Sequence, residues 1–537
     1  MTTSGQSLRT EAKSKGVFVR EATGLVREIS PFAAVAIGTF ALSIGLAINW
    51  TITSTPTLYP GSNVLITLGL ALIPTLIVTY LYATLSGAMP RSGGEYVWVS
   101  RLVHPAFGFT ISWSIFLVNL IFAGMNLAQT FSWFTNGFLF LLGRALNNPA
   151  LVEAGVTLSR PFNTLVAATV LNFVILLFMM LPTHRQMKIL VGTFVVAMLG
   201  VVALCLQLLL TSRAGFSAGL DQAYGSGTLQ NIAAAAEAAG GRITWTTGAS
   251  LLAVAWVVQF MPMSYATMYA GEIKNARRNA KVATYAGTLL QVGSMMLIAG
   301  LLYKAIGYRF LSSMAYLEVS APGSYPFDFP FALNYAVLLI SQNVWLISLV
   351  SIAFILWTGI CAATLLFSIT RVMFAYSWDR IFPDWVAEVS ERTSTPVNAA
   401  IVCAVGAEIV LAITIYSRAF ANLTPTTVGI WVTWVGVALA AILLPYRKPE
   451  LWQTISRERR RIAGLPVITW AGILVVIMAA FSLPYIFVTG AGVMDASALT
   501  VVGVMVIGGP VLFYIARAIR RRQGVDIDMA YKELPSE

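Results

Sequence analysis

The stretch ISPFAAVAIGTFALSIGLAINWTITSTPTLYPGSNVLITLGLALIPTLIVTYLYATLSGAMP, residues 29–90, contains no Asp, Glu, Lys or Arg. A membrane-spanning helix needs about 20 mostly apolar residues, so this stretch is long enough for two of them. The polar segment 55–62, which contains Pro and Gly, separates the two. The stretch therefore predicts two membrane spans, at about 30–50 and 63–88.

Uncharged stretches of similar length recur through the rest of the 537 residues, and they predict ten further spans. The span at about 396–416 contains a single charge, Glu408. The predicted fold is therefore an all-α polytopic membrane protein with twelve transmembrane helices, called span 1 to span 12 in chain order. Spans 3 to 12 are expected at about 106–135, 161–182, 188–210, 249–270, 281–303, 345–374, 396–416, 424–446, 465–489 and 497–518.

The composition excludes several classes of protein. Charged residues make up 10% of the chain, against roughly 25% in soluble domains, so a cytosolic enzyme is excluded. The net charge of +12 does not indicate a nucleic-acid partner, because the basic residues flank the spans. Three unpaired Cys and two His give no metal site, and no nucleotide-binding loop occurs, so no cofactor is expected.

The basic residues also predict an orientation. If the N-terminus is cytoplasmic, 27 of the 34 Lys and Arg residues lie on the cytoplasmic side. This asymmetry follows the positive-inside rule, so both termini are expected in the cytoplasm of a cell-membrane protein. The basic clusters beside the spans also favour contact with anionic lipid of the bilayer.

Two spans, five apart in the chain, carry helix-breaking residues. Span 1 contains Gly38 and Gly45 with Ser43 between them, and Pro262 lies well inside span 6. A matched pair of broken helices is typical of transporters built from two inverted halves, whose substrate site lies at the breaks. The alternative is a glycine packing face in span 1 and a passive proline kink in span 6.

Three segments resemble the cytoplasmic motifs of the amino acid–polyamine–organocation superfamily of secondary transporters. They are PRSGGEYVWVSR (90–101), YAGEIKNARRNAKVAT (269–284) and SITRVMFAYSWDRIFPDWVAEVSERTSTPVNAA (368–400). The likeness covers spans 1 to 10 in the expected order. It implies the leucine-transporter fold, with two inverted five-helix repeats, spans 1 and 6 broken, and spans 11 and 12 peripheral. The corresponding regions are a cytoplasmic tail 1–29, a first repeat 30–210, an extracellular loop 211–248, a second repeat 249–446, peripheral spans 447–518 and a cytoplasmic tail 519–537.

The resemblance also implies a function: secondary active transport of an amino acid or related small amine by alternating access. Free N–H groups at the breaks suit a carboxylate. In this chain a bulky Leu42 or Ile44 replaces at least one glycine of the family's span 1 turn, which crowds a carboxylate and leaves a carboxylate-free amine as an alternative. The implied substrate-binding residues are Gly38, Ala41, Leu42, Ser43, Ile44, Gly45, Gln259, Phe260, Met261 and Pro262.

The coupling ion is either H⁺ or Na⁺, unless the protein is an exchanger. Thr364 and Ser368 share one face of span 8 and supply the hydroxyls that a sodium site uses, although such hydroxyls often bond their own helix. Glu408 is the one carboxylate at mid-span depth, and is either a proton site or a neutral structural group. We expect Glu95 and Glu272, in the motif loops, to pair with basic loop residues and hold the cytoplasmic mouth closed.

Two other functions compete with transport. An intramembrane transferase needs catalytic His, Asp or Glu near a membrane face, and such residues are scarce here. A nutrient sensor on a transporter scaffold is expected to carry a soluble signalling domain, and the tails are too short for one. The sequence also leaves open whether Asn119, Asn126 and Gln129 of span 3 line the pathway or bond neighbouring helices.

Overall fold

The computed structural model describes residues 27–531 apart from 243, 263–264, 327–331, 391, 418–419, 421–422, 456–459 and 490–495. The predicted tail 1–29 lies outside the described residues up to residue 26, and the predicted tail 519–537 lies outside them from residue 532 onward.

Twelve helical segments of the described chain are long and apolar enough to cross a membrane, which confirms the predicted fold class. Each lies where the uncharged stretches place it, because an uncharged run of this length can satisfy its backbone in lipid only as a helix. The spans are Pro31–Leu58, Val64–Ala88, Pro105–Ala145, Pro161–Met179, Thr183–Leu210, Thr247–Thr267, Ala276–Ala305, Val344–Trp378, Val397–Tyr416, Thr424–Arg447, Val467–Phe487 and Ala496–Arg522.

Shorter elements connect the spans. The segment 211–248, predicted as an extracellular loop, contains two helices. The connecting helices are Glu95–Leu102, Pro149–Leu158, Arg213–Tyr224, Thr228–Ala238, Tyr308–Ser320 and Pro449–Gln453. Short 3₁₀ segments are Pro322–Ser324, Leu333–Ile340, Asp384–Ala387 and Ile527–Tyr531, and a π-helical turn, Thr130–Thr135, lies within span 3. In the described chain, strand structure is limited to the antiparallel pair Arg461–Ile462 and Leu465–Pro466.

The bundle has a buried centre and an apolar rim. Spans 1, 3, 6 and 10 are the most buried, whereas spans 4, 5 and 12 expose most of their apolar surface. An apolar surface of this extent requires a lipid environment. We call the side that carries residues 27–30 and the connections 89–104 and 268–275 the N-terminal face, and the other side the opposite face.

Spans 1 and 6 are both interrupted and lie beside each other. Span 1 consists of the helices Pro31–Leu42 and Ile44–Leu58. In span 6 the α-helix Thr247–Val257 is followed by short 3₁₀ segments, Val258–Phe260, Tyr265–Thr267 and, just after the span, Ala270–Glu272. The Tyr269 hydroxyl donates to the Ala34 carbonyl oxygen at 3.2 Å, which joins the two segments. The inverted five-plus-five repeat stays a prediction.

Candidate functional site

The interruption of span 1 is at Ser43, whose φ of +49° is in the region that favours glycine. Its hydroxyl donates to the Trp357 carbonyl oxygen of span 8 at 3.1 Å and accepts from the Leu46 N–H at 3.3 Å. The serine thus caps the second helix and fastens the break to span 8. One helix ends and another begins in the middle of the span, where both termini carry backbone groups without an intrahelical partner.

Gly45 allows the break to approach span 8 closely. A Cβ at this position would lie 2.7 Å from the Phe354 Cδ1 and 3.3 Å from the Trp357 Cβ. The first distance is shorter than any side chain tolerates, so the aromatic ring would have to move. The role of Gly45 is therefore close helix packing beside the break.

The interruption of span 6 releases backbone carbonyls, and side chains satisfy three of them. The Trp431 Nε1–H of span 10 donates to the Ala255 oxygen at 2.8 Å. The Gln291 Nε2 of span 7 donates to the Phe260 oxygen at 3.2 Å, and the Gln259 Nε2 donates to the Trp256 oxygen at 2.9 Å. Irregular backbone inside a membrane needs such partners.

A narrow cavity of about 20 Å³, room for about one water molecule, lies where the two interruptions meet. Spans 1, 3, 6, 8 and 10 all contribute to its wall. The lining is mostly apolar, and none of the described lining residues carries a charge. Such a wall with a few polar groups is typical of a small-molecule site. The lining residues are Ala41, Leu42, Leu46, Ala47, Trp50, Phe122, Met125, Asn126, Gln259, Phe260, Tyr265, Cys361 and Leu423.

Polar groups in this central cavity form a short chain across its wall. The Asn126 Nδ2 donates to the Cys361 Sγ at 2.9 Å, and the Cys361 thiol donates to the Ala41 carbonyl oxygen at 3.4 Å. This chain joins spans 3, 8 and 1 at the depth of the break. A bound solute can use the second amide N–H of Asn126 as a donor and its Oδ1 as an acceptor.

Four of the residues implied by the family resemblance line the central cavity: Ala41, Leu42, Gln259 and Phe260. The Leu42 side chain is on the wall, whereas Ser43 faces span 8. The remaining implied residues are buried around the interruptions without lining the cavity: Gly38, Ser43, Ile44, Gly45, Met261 and Pro262.

The sequence reasoning missed much of the wall. Leu46 follows Leu42 by four residues, and Ala47 and Trp50 continue the same side of the helix after the break, so helical periodicity carried a signal for them. For Asn126 the sequence left open whether it lines the pathway or bonds a neighbouring helix, and the structure places it on the cavity wall. Phe122, Met125, Tyr265, Cys361 and Leu423 carry no sequence signal that separates them from core residues.

A second cavity opens toward the opposite face between spans 1, 3, 4 and 9, and we call it the outer vestibule. Trp50 and Met125 line both cavities and therefore form the partition between them. The Trp50 ring packs on Trp133 with centroids 5.1 Å apart, and its Nε1–H donates to the Gln129 Oε1 at 3.3 Å. The outer vestibule is lined by Trp50, Met125, Ala128, Gln129, Ser132, Trp133, Ser159, Pro161, Thr164, Thr414, Ile415, Ser417 and Phe420.

The N-terminal face is closed by buried ion pairs. Glu272 is paired with Arg371, with N···O distances of 2.8 and 3.2 Å, and both side chains are buried. The partner lies on span 8, so the expectation of a loop partner for Glu272 is wrong. A charged hydrogen-bonded pair of this geometry is strong only while both members are present.

A second buried pair joins Arg101 to Asp379 at 2.6 Å. The Tyr96 hydroxyl donates to the same Asp379 Oδ2 at 2.7 Å and lies 3.0 Å from the Tyr531 hydroxyl. The Arg101 guanidinium also lies 4.9 Å from the centre of the Tyr531 ring. The last described residues of the chain thus complete this cluster.

Glu95 is buried as well, but its environment differs. Neither carboxyl oxygen has a hydrogen bond of good geometry, and the expected basic partner is missing from the described part of the chain. The titratable side chains that influence it are Tyr82, Tyr265 and Tyr376, on spans 2, 6 and 8. Burial raises the pKa of this carboxyl to about 7, and the neighbouring Tyr82 hydroxyl opposes part of that shift.

The other candidate coupling groups are bonded within the scaffold. The Thr364 hydroxyl donates to the Ile360 and Cys361 carbonyl oxygens, and the Ser368 hydroxyl donates to the Thr364 oxygen. These are ordinary bonds of a hydroxyl to its own helix. Glu408 accepts hydrogen bonds from span 4, at 2.5 Å from Thr169 and 2.8 Å from Asn172. It is away from the central cavity.

Twelve spans around a buried cavity at two broken helices define a multi-pass membrane transporter. The family model described as "Amino acid permease" matches residues 36–516, and the chain belongs to this family. A search of curated proteins finds no match.

Proposed function

We propose that this protein is a secondary active transporter of an amino acid, which binds in the central cavity and crosses the membrane by alternating access. The observation that carries the proposal is the cavity at the meeting of the two interrupted spans, in a chain of the permease family. Helix ends at this depth offer backbone groups to a carboxylate and an amine. The proposal makes the protein a transporter and not an enzyme, and it requires no cofactor.

The cavity wall favours a small neutral amino acid with an apolar side chain. Leu46, Phe122 and Leu423 supply apolar surface, and the described lining residues include no charge to pair with a charged side chain. A charged substrate side chain would be buried without a partner, at a cost of several kcal/mol. A carboxylate-free amine is the alternative, because the side chain of Leu42 lies on the wall beside the break.

We further propose coupling to protons, with Glu95 as the group that carries the proton. A buried carboxyl without a cationic partner binds its proton more tightly while the N-terminal face is closed, and it releases that proton more readily when water reaches it. Its raised pKa means that protonation stabilises the closed form at low pH, and that this stabilisation is lost as the pH rises through about 7. If the N-terminal face lies in the cytoplasm, opening of this face releases the Glu95 proton into the cytoplasm.

Uptake into proteoliposomes tests the proposal. A pooled mixture of amino acids and polyamines is offered with a pH gradient, a sodium gradient or neither, and the contents are measured by mass spectrometry. We expect a neutral amino acid to accumulate under the pH gradient. Accumulation driven only by sodium would contradict proton coupling and direct attention to Thr364 and Ser368. No accumulation of any amino acid by folded protein would contradict the substrate class.

Two carboxylates provide a matched comparison. Glu95→Gln imitates the protonated form, so we expect solute exchange to continue while stimulation by the pH gradient disappears. Glu408→Gln keeps a polar side chain toward Thr169 and Asn172, and we expect its pH dependence to equal that of the unaltered protein. The reverse result, with loss of coupling in the Glu408 variant alone, would show that the proton site lies on span 9.

A further inference from the structure

A third cavity, which shares no lining residue with the other two, lies at the N-terminal face, and four of its lining residues are arginines. They are Arg27, before span 1, Arg91, after span 2, and Arg277 and Arg278 at the start of span 7. The cavity has a volume of about 480 Å³, larger than the central cavity. Among the described residues that line it, none is acidic.

The beginning of span 7 adds to the positive potential of this cavity. The helix Ala276–Ala305 starts at its wall, and the preceding Asn275 makes no side-chain cap hydrogen bond. The first-turn N–H groups of a helix of 30 residues are therefore not capped by that side chain, and the first turn contains no acidic residue. The positive end of the helix dipole thus faces the same space as the arginines.

One arginine of the cavity is partly buried and carries an unpaired donor. The Nε atom of Arg91 is buried and has no hydrogen-bond partner in the described structure. An unpaired buried donor on a charged group is costly, by about 1–3 kcal/mol or more, so a movement of this side chain toward an anion in the cavity would be favoured. Arginine is also the side chain best suited to bind phosphate through two parallel N–H donors.

The remaining wall is apolar and lies at the edge of the membrane-spanning region. Ala88 and Met89 end span 2, and Leu451 comes from the short helix Pro449–Gln453 between spans 10 and 11. A ligand that carries both an anionic group and an apolar part matches this wall. Basic cavities between transmembrane helices are typical binding places for lipid headgroups.

We propose that this cavity binds a phosphate-bearing anion, with the phosphate held by the arginines and the start of span 7. Two sources share that chemistry: the headgroup of an anionic phospholipid, and a soluble phosphate compound. The ligand bridges residue 27, the connection 89–104 and the start of span 7. Its occupancy therefore stabilises the closed N-terminal face.

Lipid retention by the purified full-length protein tests the site. The protein is delipidated in detergent and titrated with phosphatidylglycerol or phosphatidylcholine, and bound lipid and thermal stability are measured by native mass spectrometry and a melting assay. Parallel titrations use inorganic pyrophosphate in place of lipid. We expect phosphatidylglycerol to be retained and to raise the melting temperature, and phosphatidylcholine to do neither. The same stabilisation by pyrophosphate would identify the soluble source.

Two double variants isolate the cavity. Arg277 and Arg278 are exposed, so Arg277→Gln/Arg278→Gln should fold, and we expect retention of phosphatidylglycerol to fall at least about tenfold, equivalent to ~1.4 kcal/mol. Arg521→Gln/Arg522→Gln removes the same charge from the end of span 12, outside the cavity, and should retain the lipid. Arg277→Lys/Arg278→Lys keeps the charge and should retain part of the binding. Equal retention of phosphatidylglycerol by the glutamine variants at both places, or no effect of either probe on the unaltered protein, would overturn the proposal.

Discussion

The two ends of the transport pathway are closed in different ways. Toward the N-terminal face, the buried pairs Glu272–Arg371 and Arg101–Asp379 join the motif segments to span 8. Toward the opposite face, the Trp50 ring, together with Met125, separates the central cavity from the outer vestibule. The closure toward the N-terminal face depends on buried charges, whereas the closure toward the opposite face depends on ring packing and one hydrogen bond.

This difference indicates how each of the two faces opens. A buried ion pair is expensive to break singly, so it opens only when several groups separate together and become hydrated. An aromatic pair contributes about 0.5–1.5 kcal/mol beyond its buried area, and a neutral hydrogen bond about as much. We therefore expect the opposite face to open by local side-chain motion and the N-terminal face by a concerted movement of spans 1, 6 and 8.

The largest effect is expected from removal of one charge of a buried pair. Arg371→Gln leaves the Glu272 carboxylate buried without its cation, which costs about 3–5 kcal/mol. We expect the purified variant to show a strongly lowered melting temperature and little transport. The double variant Glu272→Gln/Arg371→Gln should recover much of the melting temperature. If the single variant is as stable as the unaltered protein, the N-terminal closure does not depend on this pair.

A smaller effect is expected at Gly45, where span 1 packs closely against span 8. Gly45→Ala places a methyl group 2.7 Å from the Phe354 ring, and we expect a destabilisation of about 1–3 kcal/mol together with slower transport. Gly69→Ala in span 2 is the matched control, because no neighbouring atom lies within 4 Å of its Cβ position. Equal melting temperatures for the two variants would show that span 1 does not need its close contact with span 8.

The smallest effect on transport is expected at the closure toward the opposite face, where the readout is the accessibility of the central cavity. Trp50→Ala removes one aromatic contact and one hydrogen bond, together about 1–3 kcal/mol, which is enough to make the central cavity about tenfold more accessible. The probe is the rate at which a methanethiosulfonate reagent modifies Cys361, in a background with Cys205→Ala and Cys403→Ala. An unchanged rate would mean that Trp50 is not the partition, and Trp133→Ala serves as the companion variant.

The sequence predicts the fold well and the site in part. Runs with few or no charges locate all twelve spans, because the length and the low charge that a membrane span requires are visible in the local sequence. The break at Ser43 lies among the residues that the family resemblance implies. The partition at Trp50 and the wall residues Cys361 and Tyr265 require knowledge of which helix faces meet, and spacing along one helix does not supply it.

The charged residues show the same limit. The motif carboxylates Glu95 and Glu272 are alike in sequence, each lying in a loop beside a span and near basic residues. The structure gives Glu272 an arginine from span 8, while Glu95 has no basic partner in the described chain. Their difference arises from the packing of spans 1, 2, 6 and 8 around them, which no local pattern records.

Protection of Cys361 by substrate tests the central claim most directly. In the background with Cys205→Ala and Cys403→Ala, the rate of Cys361 modification is measured with and without the amino acid that the proteoliposomes accumulate. Because Cys361 lines the central cavity beside Ala41, the account predicts that the transported amino acid slows the modification and that a non-transported one does not. Transport with no change in the Cys361 rate would place the substrate elsewhere and contradict the account.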